Sequence, residues 1–290
     1  MDFIWSNTDY PYLCLKDKKR TLAFKRTIER VVKPNDIVVD AGSGSGILSF
    51  FAAAAGAKKV YAVEIEHVLA EQISQSAIAN KLSEVVEVVE GDIRKVDLPQ
   101  NVDVVIAELI DTGLIDEMQC PAINSLRERG VIGSSTIVIP GNYKTYLDLI
   151  YTDHRYYGFN ILAPKHEWPY YSGNSKPFTN LFTSNSEWEQ TKIISASDKI
   201  EVVNADFNFQ KVDENVDKVL EFKLNRYKKA NGLRISGVIS LLDGFAVGAM
   251  NSLNGDKILS IPPVINQTNI KIRVQYKMGI GMRSFHLDFL

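Results

Sequence analysis

The first half of the chain alternates between short apolar runs and segments whose apolar residues recur every three or four positions. Ile37, Val38 and Val39 form a β-branched run that predicts a strand, whereas residues 16–32 show a helical period. The same criteria predict further helices at 47–57, 66–80 and 116–129, and further strands at 58–64, 85–89, 102–107 and 136–139. Strands that alternate with helices predict a parallel, doubly wound sheet.

The periodicity changes after Gly141, where short strands replace the helices. Strands are predicted at 143–150, 199–208, 219–227, 233–242, 257–261, 269–277 and 284–289. Asn231-Gly232 and Asn254-Gly255 predict tight turns between them. Residues 152–188 are rich in aromatic residues, Pro, Gly and Asn, and predict an arm outside the sheets. The chain is therefore predicted to be α/β: a Rossmann-like domain with an N-terminal segment over 1–140, followed by an all-β, barrel-like domain over 141–290.

Composition narrows the classes of protein. The net charge is −2, which gives no global signal for nucleic acid or for an anionic membrane surface. No apolar run is long enough to span a membrane, and the N-terminus predicts no signal peptide. Cys14 and Cys120 form no disulfide framework, and the four histidines show no metal-ligand spacing. These features predict a cytoplasmic protein without a metal site.

Three glycines at alternate positions follow the first predicted strand: Gly42, Gly44 and Gly46. Glycine lets the backbone approach a ligand closely and adopt conformations that a side chain forbids. A dinucleotide-binding loop has the spacing G-x-G-x-x-G, but the third glycine position is occupied here by Ile47. A branched side chain would crowd a pyrophosphate, so the spacing argues against a dinucleotide.

Acidic residues stand at the ends of four predicted strands: Asp40, Glu64, Asp92 and Glu108. Open α/β sheets bind ligands at the edge formed by the carboxyl ends of their strands. Asp40 followed by the alternating glycines resembles motif I of the class I S-adenosylmethionine methyltransferases, whose ligand carries a sulfonium and an ammonium instead of phosphates. Glu64 is placed to accept both ribose hydroxyls. The predicted cofactor is therefore S-adenosylmethionine.

A second group of acids occupies the loop after the fourth predicted strand. Glu108 and Glu117 are nine residues apart, with Asp111 and Asp116 between them. A carboxylate pair can orient a cationic or NH-bearing methyl acceptor through charge-assisted hydrogen bonds. The alternative is structural, because Asp116 and Glu117 also suit the first turn of a helix.

Several segments resemble the protein arginine methyltransferase family. Residues 15–21, Leu-Lys-Asp-Lys-Lys-Arg-Thr, are similar to that family's L-K-D-x-x-R-T segment. The similarity continues over 40–57 and 58–64 and includes the nine-residue spacing of the two glutamates. Ile139-Pro140, the aromatic segment and the β-rich end correspond to the family's barrel and dimerisation arm. The resemblance covers nearly the whole chain.

The resemblance implies roles around the methionine part of the cofactor. Arg20 would pair with the carboxylate of S-adenosylmethionine. Gly42, Gly44 and Gly46 would line its methionine portion, and Asp40 would hold the glycine loop.

The resemblance also implies roles around the nucleoside and the acceptor. Glu64 would accept the ribose hydroxyls, and Asp92 and Ile93 would lie near the adenine. Glu108 and Glu117 would be the catalytic pair that orients the acceptor, and Glu108 would also border the cofactor.

The acceptor half departs from the family pattern. Leu109 and Ile110 stand where the family carries Trp and Met, and the family's Thr-His-Trp turn is absent. The corresponding turn is predicted around Pro262-Pro263, which contains no histidine. A protein arginine side chain is the first predicted acceptor. RNA, a small molecule, and a non-catalytic role as an S-adenosylmethionine-binding interaction protein are the alternatives.

The aromatic arm at 152–188 is a candidate interface, because apolar rings outside a core need cover. The resemblance implies a homodimer formed through this arm. The competing interpretation is that the arm packs between the two domains of one chain.

Overall fold

The N-terminal half contains a five-stranded parallel sheet flanked by helices. The structure is a computed structural model that describes residues 10–167, 192–226, 229–242, 244, 246–248 and 254–290. The strands of this sheet are β1 (Ile37–Ala41), β2 (Lys59–Glu64), β3 (Val86–Glu90), β4 (Val104–Ala107) and β5 (Ile137–Ile139). The helices are α1 (Tyr10–Lys16), α2 (Lys18–Val31), α3 (Ile47–Ala54), α4 (His67–Ala79) and α5 (Gln119–Glu128). None of the described helices is long and apolar enough to cross a membrane.

The strand order β3-β2-β1-β4-β5 places β1 at the centre of the sheet. β1 pairs in parallel with β2 on one side and with β4 on the other, and β4 is buried along its whole length. Full burial is expected for a parallel sheet that helices cover on both faces. The strand order reverses beside β1, which creates a crevice at the carboxyl edge of the sheet.

The helix predicted over 16–32 is present as α2, Lys18–Val31, and only its start differs from the prediction. Asp17 interrupts the run as the N-cap of α2, and its Oδ1 accepts the Arg20 N–H at 3.1 Å. A capped start stabilises α2 and lets α1 take another direction. The residues before Asp17, Tyr10–Lys16, are helical as well. Residues 1–9 lie outside the described residues.

The C-terminal half is built from antiparallel strands. They are β6 (Asn142–Thr152), β7 (Arg155–Tyr156), β8 (Phe159–Asn160), β9 (Lys165–Glu167), β10 (Ile193–Ser195), β11 (Ile200–Asp206), β12 (Asn215–Lys223), β13 (Lys229–Ser240), β14 (Ala246–Gly248), β15 (Asp256–Ile265), β16 (Asn269–Lys277) and β17 (His286–Phe289). One sheet has the order β10-β6-β13-β15-β9, with β11 on β6 and β14 on β13. A second sheet has the order β12-β16-β17. The predicted fold class, an α/β domain followed by a barrel-like β domain, is confirmed.

Two predicted turns are wrong. Asn231-Gly232 lies inside β13, where the register with β15 shifts between Ala230 and Gly232. Pro262 and Pro263 lie inside β15, opposite the same irregularity. Proline lacks a backbone N–H and is tolerated at such bulges. By contrast, Asn254 does lie in a turn, directly before β15.

The predicted arm is described only in part, since residues 168–188 lie outside the described residues. Its first part forms a small hairpin of β7 and β8, which pair only with each other. β9 pairs antiparallel with β15, so this piece of the predicted excursion belongs to the large sheet. The hairpin exposes large apolar side chains, including Tyr157 (98% exposed) and Phe159 (70% exposed).

Candidate active site

A pocket opens at the carboxyl edge of the parallel sheet, and α1 forms one of its walls. Seven of the nine predicted cofactor residues line this pocket together with Glu117: Arg20, Gly42, Gly44, Glu64, Asp92, Ile93 and Glu108. Asp40 and Gly46 are the two that do not line it. Further lining comes from Tyr10, Pro11 and Cys14 of α1.

Gly46 contributes packing instead of a pocket wall. It caps α3 with φ +78°, a conformation that side chains rarely adopt. A β-carbon at this position would lie 3.0 Å from Ile73 of α4. Glycine here therefore allows α3 and α4 to approach each other beneath the loop.

Asp40 holds the glycine loop from below. Its side chain is buried, and its Oδ2 accepts the Ser49 hydroxyl of α3 at 2.6 Å. Burial raises the pKa of Asp40 to about 6, although hydrogen bonds from Ser49 and Ser43 oppose the shift. The Asp40 carboxylate thus contacts α3, the helix that follows the glycine loop.

Glu64 ties the end of β2 to the glycine loop. Its Oε2 accepts the Gly44 N–H at 2.7 Å, and its Oε1 accepts the Glu66 N–H at 3.0 Å. A carboxylate has about four lone-pair sites, so these two bonds leave acceptor capacity for a ligand. The side chain is only 6% exposed, which fixes its direction at the edge of the pocket.

The far end of the pocket combines an apolar wall with an ion pair. Ile65, Leu69 and Ile93 provide apolar surface of the kind that suits a base. Asp92 is held by the guanidinium of Arg94, with Nη2 to Oδ2 at 2.7 Å. Burial opposes ionisation of Asp92, but Arg94 outweighs it and lowers the pKa of this carboxyl.

Arg20 and Glu108 form an ion pair at the centre of the pocket. Their side chains are 8% and 11% exposed, and Arg20 Nη1 contacts Glu108 Oε2. Two further buried atoms, Arg20 Nε and Glu108 Oε1, have no hydrogen-bond partner within the described part of the chain. A buried polar atom without a partner is costly, so a ligand that satisfies these atoms is favoured.

Glu117 lines the same pocket as Glu108 and is half-buried. Burial raises its pKa well above the ordinary value, and the nearby carboxylates of Asp111 and Glu108 add to the shift. Arg20 and Lys257 oppose it. A cation bound beside Glu117 would favour the ionised carboxylate and oppose this shift.

Gln119 is a site residue that the sequence did not predict. Its Nε2 donates to Ala107 O at 2.8 Å, and its Oε1 accepts the Leu109 N–H at 2.9 Å. One buried amide thus fixes the peptide groups on both sides of Glu108. A glutamine inside a helical pattern carries no local signal for such a role, because its partners are ten or more residues away.

The fold of this chain is similar to that of known methyltransferases. The structure of a Trypanosoma brucei PRMT1 enzyme–prozyme heterotetrameric complex with AdoHcy aligns at a TM-score of 0.70 and 18% identity, covering 96% of this chain and 92% of that one. An uncharacterized protein of Methanocaldococcus jannaschii is 28% identical over 96% of this chain and 95% of its own length. The histone-arginine methyltransferase CARMER of Anopheles gambiae is 43% identical over 105 residues, which are 36% of this chain and only 17% of that protein.

A parallel sheet with a glycine loop and acidic strand ends, joined to an antiparallel β domain, defines a class I S-adenosylmethionine-dependent methyltransferase. The chain belongs to the ribosomal protein L11 methyltransferase (PrmA) family, whose model matches residues 21–168, more than half of its length. The predicted enzyme class and cofactor are therefore confirmed, and the non-catalytic alternative is set aside.

Proposed function

We propose that this methyltransferase transfers a methyl group to a guanidinium nitrogen of an arginine in a protein. The carrying observation is that Glu108 and Glu117 line the same pocket as the cofactor residues. A guanidinium presents N–H donors in a planar fork that matches carboxylates, so this pair suits an arginine side chain. The similarity to arginine methyltransferases also supports arginine as the acceptor.

The cofactor residues fit S-adenosylmethionine. Arg20 offers a buried guanidinium for its carboxylate, and Glu64 offers acceptors for its ribose hydroxyls. Ile93 and the neighbouring apolar side chains offer a surface for its adenine. When bound, the cofactor supplies an electrophilic methyl group on a positively charged sulfur.

The residues of the chain act by positioning the acceptor. Glu108 and Glu117 hold the guanidinium so that one nitrogen faces the methyl group in line with the bond that breaks. Transfer would form a methyl–nitrogen bond at the expense of the methyl–sulfur bond that the cofactor supplies, and the nitrogen would release one proton. Either carboxylate can accept that proton. Arg20 keeps Glu108 oriented throughout, because their ion pair is buried.

RNA is the second candidate acceptor, and one surface favours it. The exposed side of α2 carries several cations: Lys18, Lys19, Arg26 and Arg30. Such a face attracts a phosphate backbone. The N-terminal part of α2 also contributes Arg20 to the pocket.

The acceptor is tested by incubating the protein with a cell lysate and tritiated S-adenosylmethionine. The label should resist nuclease, be released by protease, and be recovered as methylarginine after acid hydrolysis. Label released by nuclease would show that the acceptor is RNA and not a protein arginine. Label in small molecules, in another amino acid, or in no fraction would contradict the proposal.

We also propose that the protein is a cytoplasmic homodimer. Two copies of the chain associate through the arm at 152–188, supported by the exposed Tyr157 and Phe159 of its hairpin. Sedimentation should give a dimer for the intact protein and a monomer for the Tyr157→Ser, Phe159→Ser variant. Phe209→Ser is the matched control, because Phe209 is 85% exposed outside the arm. The free thiols of Cys14 and Cys120 support a cytoplasmic location.

The division of the chain into 1–140 and 141–290 is part of the same proposal. It is supported by the change of sheet between β5, which ends at Ile139, and β6, which begins at Asn142.

A further inference from the structure

The loop between the two glutamates is fastened to the β domain along its length. Gly113 donates its N–H to the Tyr143 hydroxyl at 3.0 Å and accepts from the Tyr276 hydroxyl at 3.2 Å. Gly279 donates its N–H to Leu114 O at 3.1 Å. The position of the acceptor glutamates is therefore set by contacts with strands more than 20 residues away in the sequence.

Lys257 is the charged member of this attachment. It is the second residue of β15, and its side chain is only 12% exposed. Its Nζ forms ion pairs with Asp111 and Asp116, both in the loop between the glutamates. Burial alone would lower the pKa of Lys257, but the two aspartates outweigh it and raise the pKa overall. The lysine is therefore charged, and its attraction to the two aspartates compensates for the cost of burying that charge.

Asp111 links Lys257 to the acceptor site. One of its oxygens contacts Lys257, and the other, Oδ1, accepts the Glu117 N–H at 3.1 Å. Asp116 is also held twice, since its Oδ1 accepts the Met282 N–H at 3.2 Å. The ammonium of Lys257 is thus connected to the backbone of Glu117 through a single carboxylate.

We propose that Lys257 is a positioning residue of the acceptor site, which sets the place of Glu117 through Asp111 and thereby the affinity for the acceptor. Lys257 touches neither the pocket nor the cofactor residues among the described contacts. This inference rests on the proposed function only in assigning Glu117 to the acceptor. The attachment itself is independent of which acceptor is used.

The kinetic test compares Lys257→Met with Lys257→Arg and with Lys144→Met. Lys144 is the control, because its ion pair with Glu201 lies at the surface of the same domain. We expect Lys257→Met to raise the KM for the acceptor by about ten-fold, the effect of losing one hydrogen bond to a charged group. The Kd for S-adenosylmethionine should stay within about two-fold, and kcat should change less than KM. Lys257→Arg should restore the KM, since it restores the charge.

A second variant covers the case in which Lys257→Met leaves the aspartates unpaired and fails to fold. Lys257→Met combined with Asp111→Asn removes the cation and one of its anions together. The double variant should show the same raised KM. An unchanged KM in the folded variants, or an equal loss of cofactor affinity, would overturn the proposal.

A measurement without any acceptor separates this inference from the proposed function. Hydrogen exchange of residues 108–118 in Lys257→Met should show faster exchange at the Glu117 amide, whereas Lys144→Met should match the wild type. Unchanged exchange would overturn the attachment even if arginine is methylated. Faster exchange would support it even if the lysate experiment identifies another acceptor.

Discussion

The side chain of Leu109 fills the space that a side chain at Gly42 would need. A β-carbon at Gly42 would meet Leu109 Cδ2 at 2.3 Å, closer than any real contact of this kind. The glycine loop and the glutamate loop therefore touch, and the first can exist in this form only without a side chain at position 42. Gly42 also has φ +72°, which adds backbone strain to any substitution.

We predict that Gly42→Ala weakens S-adenosylmethionine binding by about ten-fold or more, because overpacking and strain each cost about 1 kcal/mol or more. Calorimetry measures the affinity. Combining it with Leu109→Ala should recover part of the loss. Gly158→Ala is the control, since it has φ +88° with no atom near the added carbon. Equal binding by Gly42→Ala and the wild type would show that the two loops separate freely.

Glu64→Ala should abolish measurable S-adenosylmethionine binding in the same assay, because it removes the ribose acceptor and the partner of the Gly44 N–H. Glu90→Ala is a matched control. Glu90 ends the neighbouring strand in register with Glu64, yet it is exposed and outside the pocket. If Glu64→Ala retains the affinity of the wild type, the ribose assignment is wrong.

Glu108→Gln should keep S-adenosylmethionine affinity within about ten-fold and lower kcat/KM for the acceptor by about a hundred-fold, the usual scale for a group that orients a reactant. Binding is measured by calorimetry and transfer with tritiated cofactor. Persistence of full transfer would mean that Glu108 does not bind the acceptor.

The raised pKa of Glu117 predicts that kcat/KM for the acceptor decreases on the acidic side of its pH profile. Below that pKa the carboxyl carries a proton and cannot hold a cation, so kcat/KM for the acceptor should rise with pH and then level off. The charged groups that act on Glu117 are Asp111, Glu108, Arg20 and Lys257. In Glu117→Gln this decrease should move to lower pH and the plateau should fall. A wild-type profile that is flat down to about pH 5 would contradict this role.

The buried carboxyl of Asp256 should make the folded protein less stable as the pH rises. It is 3% exposed, its Oδ1 lacks a partner within the described residues, and burial raises its pKa to about 6. Because the folded pKa lies above the unfolded value, stability falls as pH rises from about 4 to 6, by about 3 kcal/mol once the group is ionised. Asp256→Asn should therefore raise the Tm at pH 7.5 and leave it nearly unchanged at pH 4.

Asp217→Asn is the control for that experiment. Asp217 is surface-exposed, and Arg273 lowers its pKa, so its removal should give no gain at neutral pH. Thermal unfolding followed by circular dichroism measures both variants. The same Tm shift for Asp256→Asn at both pH values would show that the charge of Asp256 is not the cause.

The parallel sheet and its acidic edge could be predicted because their signals are local. A β-branched run, a glycine turn and an acid such as Glu64 all lie within 30 residues, and strand ends meet at one edge by geometry. The hydrogen bond between Asp40 and Ser49 could not be predicted, since it depends on how α3 packs. Asn231-Gly232 has turn chemistry, but the pairing of β13 with β15 uses it as a bulge.

The acceptor site was less predictable because it is assembled from distant parts of the chain. Lys257 lies 140 residues or more from the aspartates it contacts. Its second position in a strand gives no sign that it is buried. Gln119 likewise appears as an ordinary helical residue until its contacts with Ala107 and Leu109 are seen. Sequence periodicity specifies which face is buried, but not which polar side chains meet across an interface.

The attachment of the glutamate loop to Tyr276, Gly279 and Met282 has a consequence for the order in which the enzyme matures. A ribosome releases the segments of the cofactor pocket long before it makes these residues, and domains generally fold as units from the amino end. A nascent chain therefore lacks these anchors of its acceptor loop until residues 276–282 have emerged, and only the contacts with Tyr143 and Lys257 can form before then. The loop between the two glutamates is therefore fastened later in synthesis than the segments that line the cofactor pocket are made.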